Sequence, residues 1–573
     1  MANGMGTLYI ASSGLRNSQN ALNTTANNLA NVDTEGYVRQ QVLFSDKEYN
    51  TFGTAAVSKQ QAGLGLDIGD VVHARDYFLD KAYRAESGRQ AFYESCFTAV
   101  DEIQTYFQEM EGKTFQSALE DFKKAFQELA NDPSDSVRQN LVVQKAGLFL
   151  SRSQSVYEGL KSYQSNINTK VSQDIDKINK LGHKIHELNQ QISKIEAGGI
   201  ETAMDLRDER DLALDQLGAL AKISYKEDYK GVVTVKLEDE YFVDELHTYE
   251  IGKKTDKLTG FITPYWPQLS DTDRDIYVNV FDFNVDISTA LNSDVGELKA
   301  LIMSRGDHWA DYSDIEGKGE QEYLDTTNLS VIIDMQAKLD QMVHNMITAI
   351  NDQLCPNVTG PVGVTYQDAN GNTVNLSDAK VLDTENCARG SDGELPPREL
   401  FVRAGIERYT EVTGSDGKTY YVYNEEDTSD TSYMYSLTSC GVNEELKKIE
   451  TLFPHLKQNG EVDQQLGERL EALWNKDLVG LDPTDPDECN IEEYYQKMIG
   501  GLATVGNVYQ KKAENLAGSV LTIENNRQQV IGVSSDEELQ NMIKFQNAYN
   551  ASSRFMTVIS DMIEHIVTRL GNG

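Results

Sequence analysis

Leu8-Tyr-Ile-Ala-Ser-Ser-Gly-Leu15-Arg-Asn-Ser-Gln-Asn-Ala-Leu22-Asn-Thr-Thr-Ala-Asn-Asn-Leu29 repeats leucine by sevens, and Arg16 is the one charge before Asp33. Seven residues come close to two turns of helix, so Leu8, Ala11, Leu15, Ser18, Leu22, Ala26 and Leu29 form a stripe that faces one partner. Around it stand Asn17, Asn20, Asn23, Asn27, Asn28 and Asn31, poor helix formers because their side chains compete for backbone hydrogen bonds. Such a helix is marginal on its own. Near the other end, Leu539, Met542, Phe545, Tyr549, Met556, Ile559, Ile563, Ile566 and Leu570 draw a second stripe at helical spacing. Ser535 ahead of Asp536, Glu537 and Glu538 predicts a capping box there, with carboxylates where the helix dipole favours them. One such stripe reads as a face of an ordinary globular core. A stripe at each end predicts a chain that joins its neighbours by its ends.

At 573 residues the chain exceeds what one core fills, so three or four domains are expected. A net charge of -39 argues against nucleic acid and against anionic membranes as partners, because phosphate surfaces need clustered Lys and Arg. Cys96, Cys355, Cys387, Cys440 and Cys489 show neither a CxxC pair nor regular spacing, so no zinc site or disulfide framework is indicated and free thiols are expected. No apolar run is long enough to span a bilayer, and no basic segment leads into an apolar core with a cleavage site. A soluble chain without a cleaved secretion signal is expected.

Along the chain, Gly36 supplies a positive φ to end the first helix. Loop and short strands are expected to about Gly69, and helix from about Ala74. Two amphipathic stretches through Phe92 to Phe107 and Phe115 to Leu129 lead to Asp132-Pro133, a predicted N-cap and first-turn proline. A long helix then runs to Gly198-Gly199, reaching about 95 Å at ~1.5 Å per residue. A shorter helix over 202–221 carries Asp205, Arg207, Asp208, Glu209, Arg210 and Asp211, a charged face expected to be solvated. Val232 to Leu237 and Tyr241 to Val243 read as strands with a turn at Asp239-Glu240. Helix is predicted at 296–305 and 329–354, and hairpins around Asn370-Gly371 and Asp416-Gly417. A second long helix from Ile491 to the Gly532 break is expected to pair antiparallel with the first. The fold class is mainly α with β insertions: an elongated multi-domain rod, with a long antiparallel helical bundle or coiled-coil core from the N- and C-terminal parts, plus β-rich outer domains. The expected division is 1–45 with 533–573 as terminal coiled-coil segments, 46–225 with 490–532 as a helical rod domain, 226–353 as a β-rich outer domain, and 354–489 as a β-containing insertion with an acidic linker.

The run Thr25-Ala-Asn-Asn28-Leu-Ala-Asn31-Val-Asp-Thr34-Glu-Gly36-Tyr37-Val-Arg39-Gln resembles the signature of flagellar rod, hook and hook-associated proteins. Three further stretches, Ala130-Asn-Asp-Pro133-Ser-Asp-Ser-Val-Arg138-Gln139, Met204-Asp-Leu-Arg207-Asp208-Glu-Arg210-Asp211 and Gly532-Val-Ser-Ser-Asp-Glu537-Glu538-Leu onward to Tyr549, are similar to the hook-associated protein 1 family, the first hook-filament junction proteins. Hook and rod proteins share the end segments but lack the long helical pair and the Arg-Asp-rich helix. The resemblance covers 1–353 and 490–573, and reaches 354–489 weakly. Glu35 stands where the family commonly has proline, which bears on the local turn alone.

The resemblance implies a structural role and no enzyme activity. Subunits exported through the flagellar type III apparatus, disordered at their ends, would become helical in the tubular core of an adaptor layer outside the cell. Implied partners are further copies of the chain in a ring, hook protein, the second hook-filament junction protein and an export chaperone. The expected assembly interface is Leu8, Leu15, Leu22, Leu29, Asn28, Asn31, Gly36, Tyr37 and the C-terminal stripe from Leu539 to Leu570. The alternatives are another axial protein of hook or rod, or an axial protein whose 354–489 insertion adds an adhesive or hydrolytic activity.

Motifs that carry chemistry are sparse. His183-x-x-His186 lacks a third ligand and reads as a solvated helix face, and Asp482 to Glu488 lacks the glycine and phasing of a calcium loop and reads as an acidic linker. No metal, cofactor or catalytic residue is assigned.

Overall fold

The computed structural model describes residues 2–46, 50–55, 58–62, 65–108, 114–198, 202–368 and 371–569. Helix α1 (Ala2–Ala30) leads into nested antiparallel strands, β1 (Gln40–Asp46) pairing with β4 (Leu66–His73) around β2 (Asn50–Ala55) and β3 (Ser58–Ala62). Helices α2 (Tyr77–Gln108), α3 (Phe115–Asn131), α4 (Ser136–Glu196) and α5 (Met204–Leu220) follow. α4 has 61 residues, about 90 Å at ~1.5 Å each. Its cap is Asp135, whose carboxylate accepts from the Val137 N–H. The expected cap, Asp132, instead accepts from Ser134 in the preceding turn, because Pro133 belongs to that turn and not to the helix.

A three-stranded sheet comes next, β5 (Ile223–Glu227), β6 (Val233–Leu237) and β7 (Glu240–Val243), then the pair β8 (Gly252–Thr255) and β9 (Ile262–Tyr265). The β6–β7 turn is Glu238-Asp239, both at positive φ, one residue earlier than expected, which pairs Leu237 with Glu240. Helices α6 (Glu297–Arg305), α7 (Glu320–Asp325) and α8 (Val331–Leu354) return the chain to the frame. The segment after α8 holds β10 (Asn357–Thr359), β11 (Thr365–Gln367), β12 (Thr373–Asn375), β13 (Lys380–Leu382), β14 (Phe401–Val402), β15 (Tyr409–Thr413), β16 (Thr419–Tyr423), β17 (Gly441–Val442), α9 (Glu444–Lys448) and α10 (Gln464–Ala472). β10, β13, β16 and β15 make one sheet in that order. Both expected hairpins form, with Gly371 and Gly417 at positive φ; Asn370 lies outside the described residues. Two long helices close the chain, α11 (Ile491–Ile531) and α12 (Ser535–Arg569).

The main core runs along α4. Phe122 stacks on Phe149 at 5.6 Å and meets Trp474 edge-on at 5.7 Å, so the segment after α8 is anchored on α3 and α4 by its aromatic side chains. Along the same helix Ile175, Ile178 and Ile185 are buried against the strands and α5. The accessible surface is 29547 Å², where a compact chain of this mass exposes about 20,000 Å². The molecule is therefore extended.

One pairing departs from expectation. α11 does not lie along α4; it runs antiparallel to α2. Val100 fits against Gly506, Tyr93 against Tyr509 and Lys512, and Arg527 against Asp80. α4 has no free apolar face to offer, since α3, α5, α6 and α8 already cover it, whereas α2 presents Tyr93 and Val100 to a helix that carries glycine at the crossing. A β-carbon on Gly506 would stand 2.8 Å from Val100 Cγ1.

Candidate functional site: the terminal hairpin and its charged joint

α1 and α12 form an antiparallel pair, with Gly14 opposite Ser552 and Asn28 opposite Glu538. The buried seam of α1 is Ala11, Ser18, Ala21, Thr25 and Asn28, small residues at heptad spacing that bring the backbones close. A β-carbon on Gly14 would stand 2.8 Å from Ser552 Oγ. The leucines flank that seam. Leu8, Leu15, Leu22 and Leu29 are each half-buried, so the stripe that drew attention in the sequence is not the one that α12 fills.

On α12, Met542, Phe545, Tyr549, Met556 and Ile563 are half-buried toward α1 and Ile559 is buried, while Leu539 and Ile566 are exposed. Leu570 lies outside the described residues. Phe555, Val558, Met562 and Ile566 make a second apolar row facing away from α1, with Met562 61% exposed. Ile559 is the one large apolar side chain among the described residues of either helix to be fully buried. Strands β1 and β4 brace the pair. Phe44 meets Phe545 edge-on at 6.0 Å, and Asn17 Nδ2 donates to the Leu66 carbonyl at 2.7 Å.

Where the hairpin meets the rod, three stretches far apart in sequence come together. Gly36 turns at φ +81, where a β-carbon would stand 3.2 Å from the Leu212 side chain of α5. Asn28 Nδ2 donates to the Gln40 carbonyl and to Glu538 Oε2, and its Oδ1 accepts from the Tyr37 hydroxyl at 2.8 Å and from the Gln40 N–H at 3.1 Å. The Val38 N–H donates to Asp208 Oδ2 at 3.0 Å, and the Arg39 N–H to the Ile531 carbonyl at 2.9 Å. Arg39 Nε then reaches Glu538 at 2.8 Å and its Nη1 reaches Glu537 at 3.0 Å. Asn28, Tyr37, Arg39, Asp208 and Glu538 are thus one cluster. α12 is capped by Ser534, whose hydroxyl faces the Glu537 N–H, one residue before the expected cap; Glu538 is spent on the joint instead of the cap.

Behind this cluster lies a closed ring of six charges. Arg527 Nε forms an ion pair with Asp80 Oδ1 at 2.8 Å without hydrogen-bond alignment, Arg75 Nε donates to Asp80 Oδ2 at 2.8 Å, and Arg75 pairs with Asp211. Asp211 bonds Arg84 at 3.1 Å, Arg84 bonds Asp215 at 2.6 Å, and Asp215 returns to Arg527 at 2.8 Å. Each carboxylate is shared by two guanidiniums, so α2, α5 and α11 are locked where the hairpin departs. Burial works to raise the Asp211 carboxyl, but Arg75, Arg84 and Arg210 outweigh it and hold it below the ordinary range. At Arg84, burial is outweighed by Asp215 and Asp211, which raise it. Asp208, at the edge of the ring, is pushed up to about 7 by burial, against the Val38 N–H and Arg75. Arg210 is buried, donating to Asn189 and to the Gly231 carbonyl at 2.6 Å. Arg207 forks onto Glu196 at 2.7 Å through both Nε and Nη2.

Of the α5 charges expected to be solvated, Asp205 and Glu209 are exposed, while Asp208 and Arg210 are buried and Arg207 and Asp211 half-buried. Asp208 and Asp211 belong to the fastening between the two long helix pairs, and for them the expectation fails because Arg75, just before α2, Arg84 of α2 and Arg527 of α11 come from other parts of the chain. A signal was present: Asp208, Asp211 and Asp215 share one face of α5 at steps of three and four, matching Asp80 and Arg84 on α2. The two histidines singled out in sequence do not converge. His183 Nε2 meets Glu250 at 2.6 Å, while His186 Nδ1 lies by the Asp244 carbonyl. Asp482 pairs with Lys338 at 3.0 Å and Asp485 with Lys497 at 2.9 Å. The five thiols are buried and unpaired.

Family models match three parts of the chain. Residues 100–365 match the flagellar hook-associated protein FlgK helical domain, 8–37 the flagella basal body rod protein, and 528–569 the flagellar basal body rod FlgEFG protein C-terminal segment. Flagellar hook-associated protein 1 of Bacillus subtilis is 25% identical over 97% of this chain and 96% of that protein. The protein of the same name from Salmonella typhimurium is 19% identical over 97% of this chain and 98% of its own length. The structure of the flagellar hook junction protein FlgK from Burkholderia pseudomallei covers 78% of this chain and 100% of its own, at 12% identity and a TM-score of 0.48.

Proposed function

This chain belongs to the flagellar hook-associated protein 1 family, and on that footing we propose how its two ends make it a structural adaptor of the bacterial flagellum. The hairpin of α1 and α12 is the assembly element. Its small-residue seam holds the two helices together, and the half-buried leucines with the outer row of α12 are completed by neighbouring copies. Burying a leucine fully is worth about 1.5 to 3 kcal/mol, and ordering backbone costs roughly 1 to 2 kcal/mol per residue before hydrogen bonds are counted. A pair of helices in which Ile559 is the one large apolar side chain buried among the described residues is thus weak in a lone subunit. Neighbours supply the missing apolar cover, so folding of the ends is coupled to assembly.

On this reading 1–45 with 533–573 form the axial core, 46–225 with 490–532 the rod, and 226–353 and 354–489 the outward parts. The layer sits outside the cell at the hook-filament junction, between hook protein and the second junction protein, its subunits delivered by the flagellar export route with a chaperone. The acidic surplus keeps the exported subunits apart until the ends engage.

The observation that carries this reading is the half-exposed leucine row beside a seam that α12 already fills. Chains lacking 1–40 or 536–573 are expected to remain soluble and folded through the rod, yet to leave hooks without filaments when they replace the full chain. Filament growth at the normal level from either truncation contradicts it.

A further inference from the structure

Between β9, the segment after it and helices α6 and α8 lies a cleft of about 450 Å³, within the range of small-molecule sites. Its floor is apolar and aromatic, with Phe281, Ile302 and Ile333 buried and Phe283 half-buried. On its wall stands Arg305, 1% exposed, in a chain whose other buried arginines at the joint are matched by carboxylates. The bonds of Arg305 go to neutral oxygens: Gly306 carbonyl at 2.9 Å, Ile262 carbonyl at 3.0 Å and Asn168 Oδ1 at 2.6 Å. Its guanidinium carbon lies 4.8 Å over the Phe261 ring. Burial pulls it down to about 10, and Asp307 is the one charge that opposes this. Asp307 is itself held by His308 at 2.6 Å, and Asp314 is shared between His308 and Lys318. Asp325 also lines the cleft, but among the described residues Arg305 has no carboxylate within ion-pair distance, so its positive charge stands without a direct partner at the edge of an aromatic floor, in a molecule of net charge -39. A buried cation without an anion is costly, and a cleft that opens on it offers the place where an anion removes that cost.

We propose that this cleft binds a small monoanion with a flat apolar body, an aryl carboxylate, with its acid group at the Arg305 guanidinium and its ring over Phe281 and Phe283. Charge-assisted bonding fixes one end and apolar burial the other.

The test uses the full-length chain titrated calorimetrically with naphthalene-2-carboxylate and, separately, with the neutral 2-naphthylmethanol. The carboxylate is expected to bind at one site per chain, at least about ten-fold more tightly than the alcohol, a ratio equal to about 1.4 kcal/mol. Thr326→Trp places an indole at the mouth from an exposed position and is expected to abolish that binding while leaving the unfolding transition in place. Equal affinity for acid and alcohol overturns the proposal, because the charge is then not read. Undiminished binding in T326W overturns it as well, because the site then lies elsewhere, and so does the absence of saturable binding to the full chain.

Discussion

Two antiparallel helix pairs follow one another along this molecule, α1 with α12 and α2 with α11, and they are finished to different degrees. α2 is covered twice: α11 lies on one side, α5 and α6 on others, and Phe92, Cys96, Val100, Ile103 and Phe107 are all buried. α1 is packed mainly by α12 and the β1–β4 pair, and its leucines stay half-open. The charge distribution differs in the same sense. The ring of Arg75, Arg84, Arg527, Asp80, Asp211 and Asp215 closes the inner pair onto α5, whereas α1 carries Arg16 as its single charge. A pair that is complete within the chain can afford ionic fastening. In the outer pair the charges stand on α12, from Asp536 to Arg569, and α1 is the nearly uncharged helix, which under the proposed assembly buries without stranding a charge.

The comparison breaks most visibly if the open leucines are made charged. Leu15→Asp combined with Leu22→Asp is expected to abolish the joining of hook to filament while the melting of the isolated subunit stays unchanged, as read by filament length and by calorimetry. A large loss of subunit stability would mean that the leucines already serve the lone chain. The next effect is on the finished pair. Arg527→Ala leaves Asp80 and Asp215 each short of a partner, and loss of one member of a buried ion network costs about 3 to 5 kcal/mol; urea unfolding followed on α2 and α11 should register it. Gly88→Val tests the crossing of α2 with α5, where a β-carbon would come within 2.4 Å of the Gly218 carbonyl. Overpacking of that kind costs about 1 to 3 kcal/mol, and a neutral result would show that the crossing is looser than described.

The smallest effect concerns pH. Burial raises Asp208 from 3.8 to about 7, so its contribution is present in full below the ordinary value and is lost as pH rises through about 7. Asp208→Asn keeps an oxygen for the Val38 N–H and carries no charge. Its melting temperature relative to the natural chain should therefore rise across that window, and a flat difference would place Asp208 outside the buried joint.

Much of the fold was legible because it rests on local pattern. Gly371 and Gly417 took the positive φ of tight turns, the long apolar run from Leu160 became a single helix, and Gly36 ended α1 as a residue able to turn there. What escaped was set by distant partners. Asp208, Arg210 and Asp211 looked solvated because nothing near them in sequence announces Arg75, Arg84 or Arg527. The pairing of α11 was misjudged for a related reason: length suggested α4, but Gly506 fits Val100 of α2. At the ends, the leucine heptad was the stronger signal, yet Ala11, Ser18, Ala21 and Thr25 make the seam, since small residues give closer backbones and leave the large ones for other contacts.

Hydrogen exchange on the soluble full-length subunit tests most directly whether the outer pair is incomplete until neighbours arrive. The account predicts that amides of 2–30 and 535–569 exchange rapidly while those of α2, α4 and α5 remain protected. Equal, strong protection of both pairs in the lone subunit would contradict it.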